Sequence, residues 1–334
     1  MYQERMPLDR PGAATREAVM GHGRTVLEVE AAALAQLSEM LDDEFARAVE
    51  LILQTRGRVV VSGMGKSGHI ARKMAATFAS TGTPAIFVHP GEAAHGDLGM
   101  LIDGDLLVVL SNSGATAELR PITQYARRLD CPIIGITSQR HSPMTQIAAA
   151  SLILPKVRET CPVNISPTTS TTMMLALGDA LAVATMSMRG ISRAQLELLH
   201  PGGVIGSRLM PVNDIMHAGD KLPLVAATLP MHDVLVTMTE KSLGIAGVVD
   251  PAGQLIGTIT DGDLRRNIDR LLDRTAADVM TRHPKTIPDG TYAEDALDIL
   301  SANKITALFV MDHDAPETPI GLVHIHDFHR LGMI

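Results

Sequence analysis

From residue 58 onward the chain alternates short apolar runs with longer stretches of helical periodicity. The runs fall at 58–62, 85–89, 105–110, 132–137 and 151–154, and each is followed at once by glycine, proline or serine. Runs this short read as strands, and strands separated by helices call for a parallel sheet covered on both faces. Residues 14–56 read as two further helices, with apolar positions Val26, Val29, Ala33 and Leu37, then Phe45, Val49 and Ile52. A last helix opens in the run Thr168-Thr169-Ser170-Thr171-Thr172 and extends through Leu181 toward Met188. The expected fold class is α/β: a doubly wound, flavodoxin-like, five-stranded sheet of order 2-1-3-4-5, preceded by N-terminal helices. In such a sheet ligands bind at the strand C-termini where the order reverses, between strands one and three.

Two loops flank that crevice. The first, Gly63-Met64-Gly65-Lys66-Ser67-Gly68, lies between strand one and a helix read over His69–Ala79. Its spacing satisfies Gly-x-Gly-x-x-Gly, and Gly65-Lys66-Ser67 looks like the end of a P-loop. A dinucleotide site needs an acidic residue near the end of the next strand, where His89-Pro90-Gly91 stands instead. A P-loop needs glycine at position 60, which is valine. A sugar-phosphate loop is the third reading. What all three share is a glycine turn, a lysine and a helix N-terminus suited to an anion. The second loop, Ser111-Asn112-Ser113-Gly114-Ala115-Thr116, is rich in hydroxyls and is read as opening a helix. Its Ser111, Ser113 and Thr116 can donate to phosphate oxygens alongside backbone amides.

The last third of the chain contains a repeat. Asp214-Ile215-Met216 returns as Asp278-Val279-Met280, and Asp263 returns as Asp327, all 64 residues apart. A shared period over two copies implies a duplicated module. Each copy reads helix, strand, turn, strand, helix. The divisions expected are 1–209, 210–272 and 273–334, with the linker around 209–212, where Pro201-Gly202-Gly203 and Pro211 break up the chain.

A formal net charge of −8, with no polybasic run and 2% aromatic residues, argues against a nucleic-acid partner. Hydrophobic residues at 46% allow proper cores in a globular protein. No segment is read as approaching the roughly 18 apolar residues of a membrane span, and residues 1–10 lack a signal-peptide core. The expectation is a cytoplasmic protein with no membrane partner. Cys131 and Cys161 lack any zinc-like or redox spacing and are read as free thiols with a packing role. The 19 methionines are read as core filler.

Four motifs occur in order: Gly63 to Ile70, His89 to Met100, Ser111 to Gly114, and His200-Pro201-Gly202-Gly203. Together with the paired repeat they closely resemble the D-arabinose 5-phosphate isomerases, which join a sugar isomerase (SIS) domain to two cystathionine β-synthase (CBS) repeats. The resemblance runs from about residue 25 to the C-terminus. It implies reversible conversion of D-ribulose 5-phosphate to D-arabinose 5-phosphate through a cis-enediol, toward Kdo for lipopolysaccharide or capsule. No cofactor and no metal are required for that reaction.

The resemblance places catalytic roles on Lys66, Glu118, Glu159 and His200, with Glu159 as the base acting at C1 and C2. It places substrate contacts on Ser67, Gly82, Thr83, His89, His95, Ser111, Ser113 and Thr116. His89, with His95 six residues on, is also a candidate for an inhibitory zinc ion. One departure is Ala115, where many sugar isomerase loops carry glutamate; it leaves Glu118 and Glu159 to do the acid–base work. His69 is read as structural. In the CBS part, Thr260 and Asp263 match the pattern that holds a ribose, so the pair either binds a nucleotide or nucleotide-sugar there or serves only in assembly. The second copy has His324 where threonine is expected. A histidine from a neighbouring subunit often completes such sites, which implies an oligomer, a homotetramer. Two other readings stand beside this one. A sugar-phosphate-sensing regulator normally carries a basic helix-turn-helix domain, which the first 56 residues do not clearly contain. A phosphoheptose isomerase does not usually carry CBS repeats.

Overall fold

The computed structural model describes residues 15–334, and its packing divides into two compact units between Ser192 and Arg193. The first unit opens with α1 (Arg16–Glu39) and α2 (Asp43–Gln54). Thr15 caps α1 by accepting from Ala18 N, and Asp42 caps α2 by accepting from Glu44 N at 3.1 Å. There follow β1 (Val59–Gly63), α3 (Gly65–Ser80), β2 (Ala85–Phe87), the short α4 (Pro90–Ala93), β3 (Leu106–Leu110), α5 (Arg120–Arg128), β4 (Ile133–Thr137), β5 (Ala150–Ile153) and α6 (Thr169–Arg189). All neighbouring strand pairs are parallel, in the order β2-β1-β3-β4-β5. This is the sheet that the apolar runs call for.

Period-two alternation sends side chains to both faces, so every central strand is buried throughout. Val59, Val61, Leu106, Val108, Ile134 and Ile136 pack under α1, α2, α3 and α6. Val60, Leu107, Val109 and Ile133 pack under α4 and α5. Several methionines fill gaps in the first layer, Met74, Met173 and Met174 among them.

The turn from β1 into α3 is tighter than the sequence reading has it. The helix begins at Gly65 rather than His69, so Lys66, Ser67 and Gly68 form its first turn. Gly65 takes the left-handed conformation, φ +60°, which lets the chain leave the strand and enter the helix without a loop. A Cβ on Gly68 would stand 2.5 Å from the Gly63 carbonyl oxygen. Strand end and helix therefore touch backbone to backbone.

A second correction concerns α6. It is long and apolar enough to cross a membrane by length and composition. Yet Met173, Met174, Leu177 and Leu181 are buried in the layer over the sheet, where α6 packs on α3. One face of α6 is a core face packed on α1, α2 and α3, while Val183 and Met188 elsewhere on the helix are exposed.

The second unit begins with α7 (Arg193–Leu199) and α8 (Gly203–Leu209). Then come β6 (His217–Ala218), β7 (Leu224–Ala226), α9 (Met231–Lys241), β8 (Ile245–Val249), β9 (Leu255–Thr260) and α10 (Asp261–Arg266). The second copy has α11 (Ala276–Val279), β10 (Thr281–Arg282), β11 (Thr286–Pro288), α12 (Ala293–Asn303), β12 (Ala307–Met311), β13 (Pro319–His324) and α13 (Ile325–Arg330). Two four-stranded sheets result, β10-β9-β8-β7 and β11-β12-β13-β6. The short strand that leads each sequence repeat is thus paired with the sheet of the other copy. Met216 fills the space over Gly321, and Met280 fills the equivalent space over Gly257.

A buried aspartate ties down each exchanged strand. Asp263 Oδ2 accepts from Thr260 N and Oγ1 at 2.8 and 2.6 Å, closing a capping box on α10. Its Oδ1 accepts from Arg266 at 2.6 Å and from Thr281 Oγ1, on β10, at 3.0 Å. Asp327 does the same on α13: it accepts from His324 N at 2.7 Å, from Arg330, and meets His217, on β6, at 3.2 Å. Burial would raise the Asp263 pKa, but the bonds from Thr260, Thr281 and Arg266 outweigh it and hold the carboxyl below its usual range.

Two outcomes are expected. Gly68→Ala gains helix propensity yet forces strand and helix apart, for a net loss of roughly 1–2 kcal/mol; an unchanged urea midpoint would show that the turn has room. Because the folded pKa of Asp263 is depressed, its contribution is full above the ordinary carboxylate pKa and lost as pH falls through the folded value. Asp263→Asn should cost about 2 kcal/mol near neutral pH, with wild type and variant converging in stability as an acid titration passes below about pH 4.

Candidate active site

Parallel strands bring their C-terminal ends to one rim of the sheet, and the segments leaving β1, β2, β3 and β5 at that rim carry most of the candidate side chains. Lys66 is exposed and Ser67 lies beside it in the first turn of α3. Next to it, after β3, Ser111 is buried and its Oγ lies 2.7 Å from Thr116 Oγ1 and 3.5 Å from Ser113 Oγ. The Ser113 hydroxyl accepts from Ala115 N at 3.3 Å. Gly114 holds the left-handed conformation at φ +62°, and a Cβ there would stand 2.3 Å from Ser142 Oγ.

The hydroxyl loop is propped from β4. Asn112 O accepts from Ser138 N, Ser138 Oγ and Thr137 Oγ1, at 3.1, 2.9 and 3.1 Å. The loop enters a 3₁₀ turn, Ala117–Leu119, before α5 begins, so Glu118 stands on that turn, exposed, and not on the helix. On the α5 side of the loop lies a cavity of about 230 Å³ between Val109, Leu119, Met144 and Ile147, with Arg120 and Arg127 also lining it. Nothing in the sequence marked it, because its walls come from two separate stretches, 109–127 and 143–147.

Beyond β2, His89 caps α4: its Nδ1 accepts from Gly91 N at 3.2 Å, which leaves the proton on Nε2. Buried Ser62 Oγ donates to Val88 O at 2.8 Å and ties this segment to β1. His95 is exposed. Among the described residues, no three His, Cys, Asp or Glu side chains gather as a group that could hold a metal ion. Gly82 and Thr83 lie elsewhere. They precede β2, and Ala85 pairs with Val59 at the start of β1. Within one chain they therefore sit at the opposite rim, roughly 15 Å of strand from Gly63. A linear motif does not display this separation from the other candidates within one chain.

Glu159 belongs to the same rim as Lys66. α3 and α6 both start there and run back across the same face, touching halfway down where Gly178 meets Met74. Their first turns are consequently level. Glu159 Oε2 accepts from Thr168 N at 2.7 Å, Thr168 Oγ1 at 3.1 Å and Ser170 N at 3.3 Å. Burial would raise the pKa of this half-buried group, but the hydrogen bonds from Ser170 and Thr168 outweigh it and keep the carboxyl below its usual range. The threonine-rich run was legible as a helix start. That it receives a carboxylate from nine residues upstream was not.

Cys131 is buried, donating to Ile102 O at 3.3 Å, and burial with nearby Asp105 and Asp103 raises its pKa. Cys161 departs from the packing role. Its Sγ accepts from Ile165 N and Ser166 N at 3.0 and 3.1 Å, and these amides outweigh desolvation and lower its pKa.

His200 lies in the second unit, between α7 and α8. Its Nδ1 donates to Leu196 O at 2.9 Å, which leaves Nε2 as the basic nitrogen. In the same unit a cleft of about 830 Å³ is lined by both repeats, including Thr260, Asp263, His283, Lys285, Lys304 and His324. Asp263 reaches it with its carboxylate already engaged in four hydrogen bonds. His324 replaces the threonine hydroxyl and accepts from His326 N at 3.2 Å through Nδ1.

The SIS domain family matches residues 52–184, and the CBS domain family matches residues 212–270 and 276–333. Arabinose 5-phosphate isomerase KdsD of Yersinia pestis is 43% identical over 329 residues, covering 97% of this chain and 98% of its own. The Escherichia coli K12 protein of the same name is 44% identical over 316 residues, covering 93% and 95%. Among solved structures, Escherichia coli CFT073 c3406 in complex with arabinose 5-phosphate is 36% identical, with a TM-score of 0.54, covering 56% of this chain and all of its own. With both domain types matched in order and such identity along nearly its whole length, the chain belongs to the SIS–CBS family of arabinose 5-phosphate isomerases.

Proposed function

We propose that the chain interconverts D-ribulose 5-phosphate and D-arabinose 5-phosphate, the reaction named for its relatives, in the cytoplasm and toward Kdo. One observation carries this reading. A single rim of the sheet gathers a lysine on a helix N-terminus, a loop of hydroxyls and an ionised carboxylate with one oxygen already committed.

The chemistry follows from those groups. Moving the carbonyl between C1 and C2 requires a base to take the carbon-bound proton, a cis-enediol, and return of the proton to the neighbouring carbon. Glu159 takes that proton, and Oε1 is the oxygen that does so, since Oε2 is bound by Thr168 and Ser170. Phosphate binds between the first turn of α3 and the Ser111–Thr116 loop, where amides and hydroxyls hold it with little net charge. Lys66 offsets the charge that develops on the enediolate oxygens. Glu118 and the Nε2 of His200 move protons between O1 and O2.

His200 does so within an oligomer, a homotetramer in this reading. Leu198, Leu199, Val204 and Ile205 surround it in sequence and are exposed at 81, 46, 51 and 56%. Four large apolar side chains beside one candidate catalytic residue are what a subunit contact needs. The CBS cleft, with Lys285, Lys304 and His283 along it, suits a nucleotide or nucleotide-sugar.

Two measurements test the assignment. Purified protein incubated with D-ribulose 5-phosphate and no cofactor should yield the aldose; binding without product would mean a sensor, and turnover of other ketose phosphates alone would mean another isomerase. Glu159→Gln should keep the fold and substrate binding while losing turnover by a factor on the order of 10² to 10⁴.

A further inference from the structure

Resting on the reading of Glu159 as the base, we propose that Thr168 is a positioning residue whose hydroxyl, locked by Thr160, both aims the Glu159 carboxylate and donates to its ionised form. The Thr168 hydroxyl is the hub of a closed set of bonds. It accepts from Thr160 N at 3.0 Å and from Thr160 Oγ1 at 2.9 Å, and it donates to Glu159 Oε2 at 3.1 Å. A hydroxyl has one proton and two lone pairs. With both lone pairs receiving donors from Thr160, the Thr168 proton has one direction left, toward Glu159.

The main chain reinforces this. Thr168 N and Ser170 N point at the same oxygen, Oε2, so the carboxylate is gripped at one end. The side chain cannot rotate to exchange its oxygens without breaking three bonds. Oε1 is thereby held at a constant orientation. Thr171 Oγ1 donates to Thr168 O at 2.8 Å, and Thr172 Oγ1 donates to Glu30 Oε2 on α1 at 3.1 Å, so the turn that supplies these donors is itself anchored. Lys156 and Arg158 flank Glu159 in sequence, Glu30 of α1 meets Thr172 in the same turn of α6, and Lys66 stands on the same rim; Cys161 lies two residues on, its thiol turned to the amides of Ile165 and Ser166.

A base must be ionised to act, and donors to the ionised form stabilise it. Removing the Thr168 hydroxyl therefore raises the pKa of Glu159, and the acid limb of the kcat profile moves to higher pH. The loss of one hydrogen bond to a carboxylate corresponds to about one pH unit. Thr168→Val, Thr168→Ser and Thr160→Val are compared in pH profiles of kcat and KM for D-ribulose 5-phosphate, with thermal unfolding measured in parallel. Thr168→Val should lower kcat about tenfold with KM nearly unchanged and shift the acid limb up. Thr168→Ser, which keeps the hydroxyl, should restore both, and Thr160→Val should give a smaller shift of the same sign. An acid limb that stays in place in Thr168→Val, or a Thr168→Ser variant no better than Thr168→Val, overturns the proposal. Full turnover by Glu159→Gln would instead overturn the reading on which it rests, so the two failures are distinct.

Discussion

The contact on which the first unit depends is the backbone approach of Gly63 to Gly68. Neither residue has a side chain to hold strand and helix apart, so α3 starts directly against the end of β1. That sets how α3 lies on the sheet, and α3 is the surface on which α6 packs. Any spacer in the turn would slide α3 along β1 and carry the first turn of α6 with it. The distance between a lysine on one helix and a carboxylate gripped by the other is thus governed by two missing methyl groups. A helix that starts so abruptly also leaves the amides of Gly65, Lys66 and Ser67 without partners inside it, which is why an anion is welcome there.

The sheet was legible because parallel strands buried on both faces leave unmistakable apolar runs such as Leu106–Leu110. The helix start at Gly65 was harder to read, since Gly-Lys-Ser-Gly has loop composition and only tertiary contact makes it helical. The placement of Gly82 and Thr83 at the other rim was not legible, because sequence proximity to β2 says nothing about which end of the strand a residue occupies. The Glu159 cradle was out of reach for another reason. Its donors, Thr168 and Ser170, read as helix caps for themselves, while in the structure they cap α6 with a side chain borrowed from the preceding segment.

The repeats show the opposite balance. Their period was plain, yet the meaning of Asp263 changed once its partners were seen. A residue read as a ribose contact carries four hydrogen bonds that close α10 and hold β10. Asp327 repeats the arrangement with His217 in place of Thr281. An aspartate common to both copies has this architectural role in each, and Asp263 also lines the cleft. The residues that differ between the copies, Thr260 and His324, are where the two ends of the cleft acquire different chemistry.

The crossed pairing of β6 and β10 also bears on how such a chain could arise. A single ancestral copy, with its leading strand free, would leave its own sheet one strand short and could complete it only by trading strands with a twin. Fusing two copies end to end turns that trade between molecules into one within a molecule, with the same partners. After fusion the leading strands and their aspartates must keep step, and they remain 64 residues apart. Segments outside the exchange are released from that discipline: the turn between the two central strands runs from Asp250 to Gln254 in one copy and grows by two residues, to Asp312 through Thr318, in the other. The two added residues are offset by a stretch two residues shorter ahead of the helix, Met280 to Ala293 against Met216 to Met231, so the lock between the halves keeps its spacing.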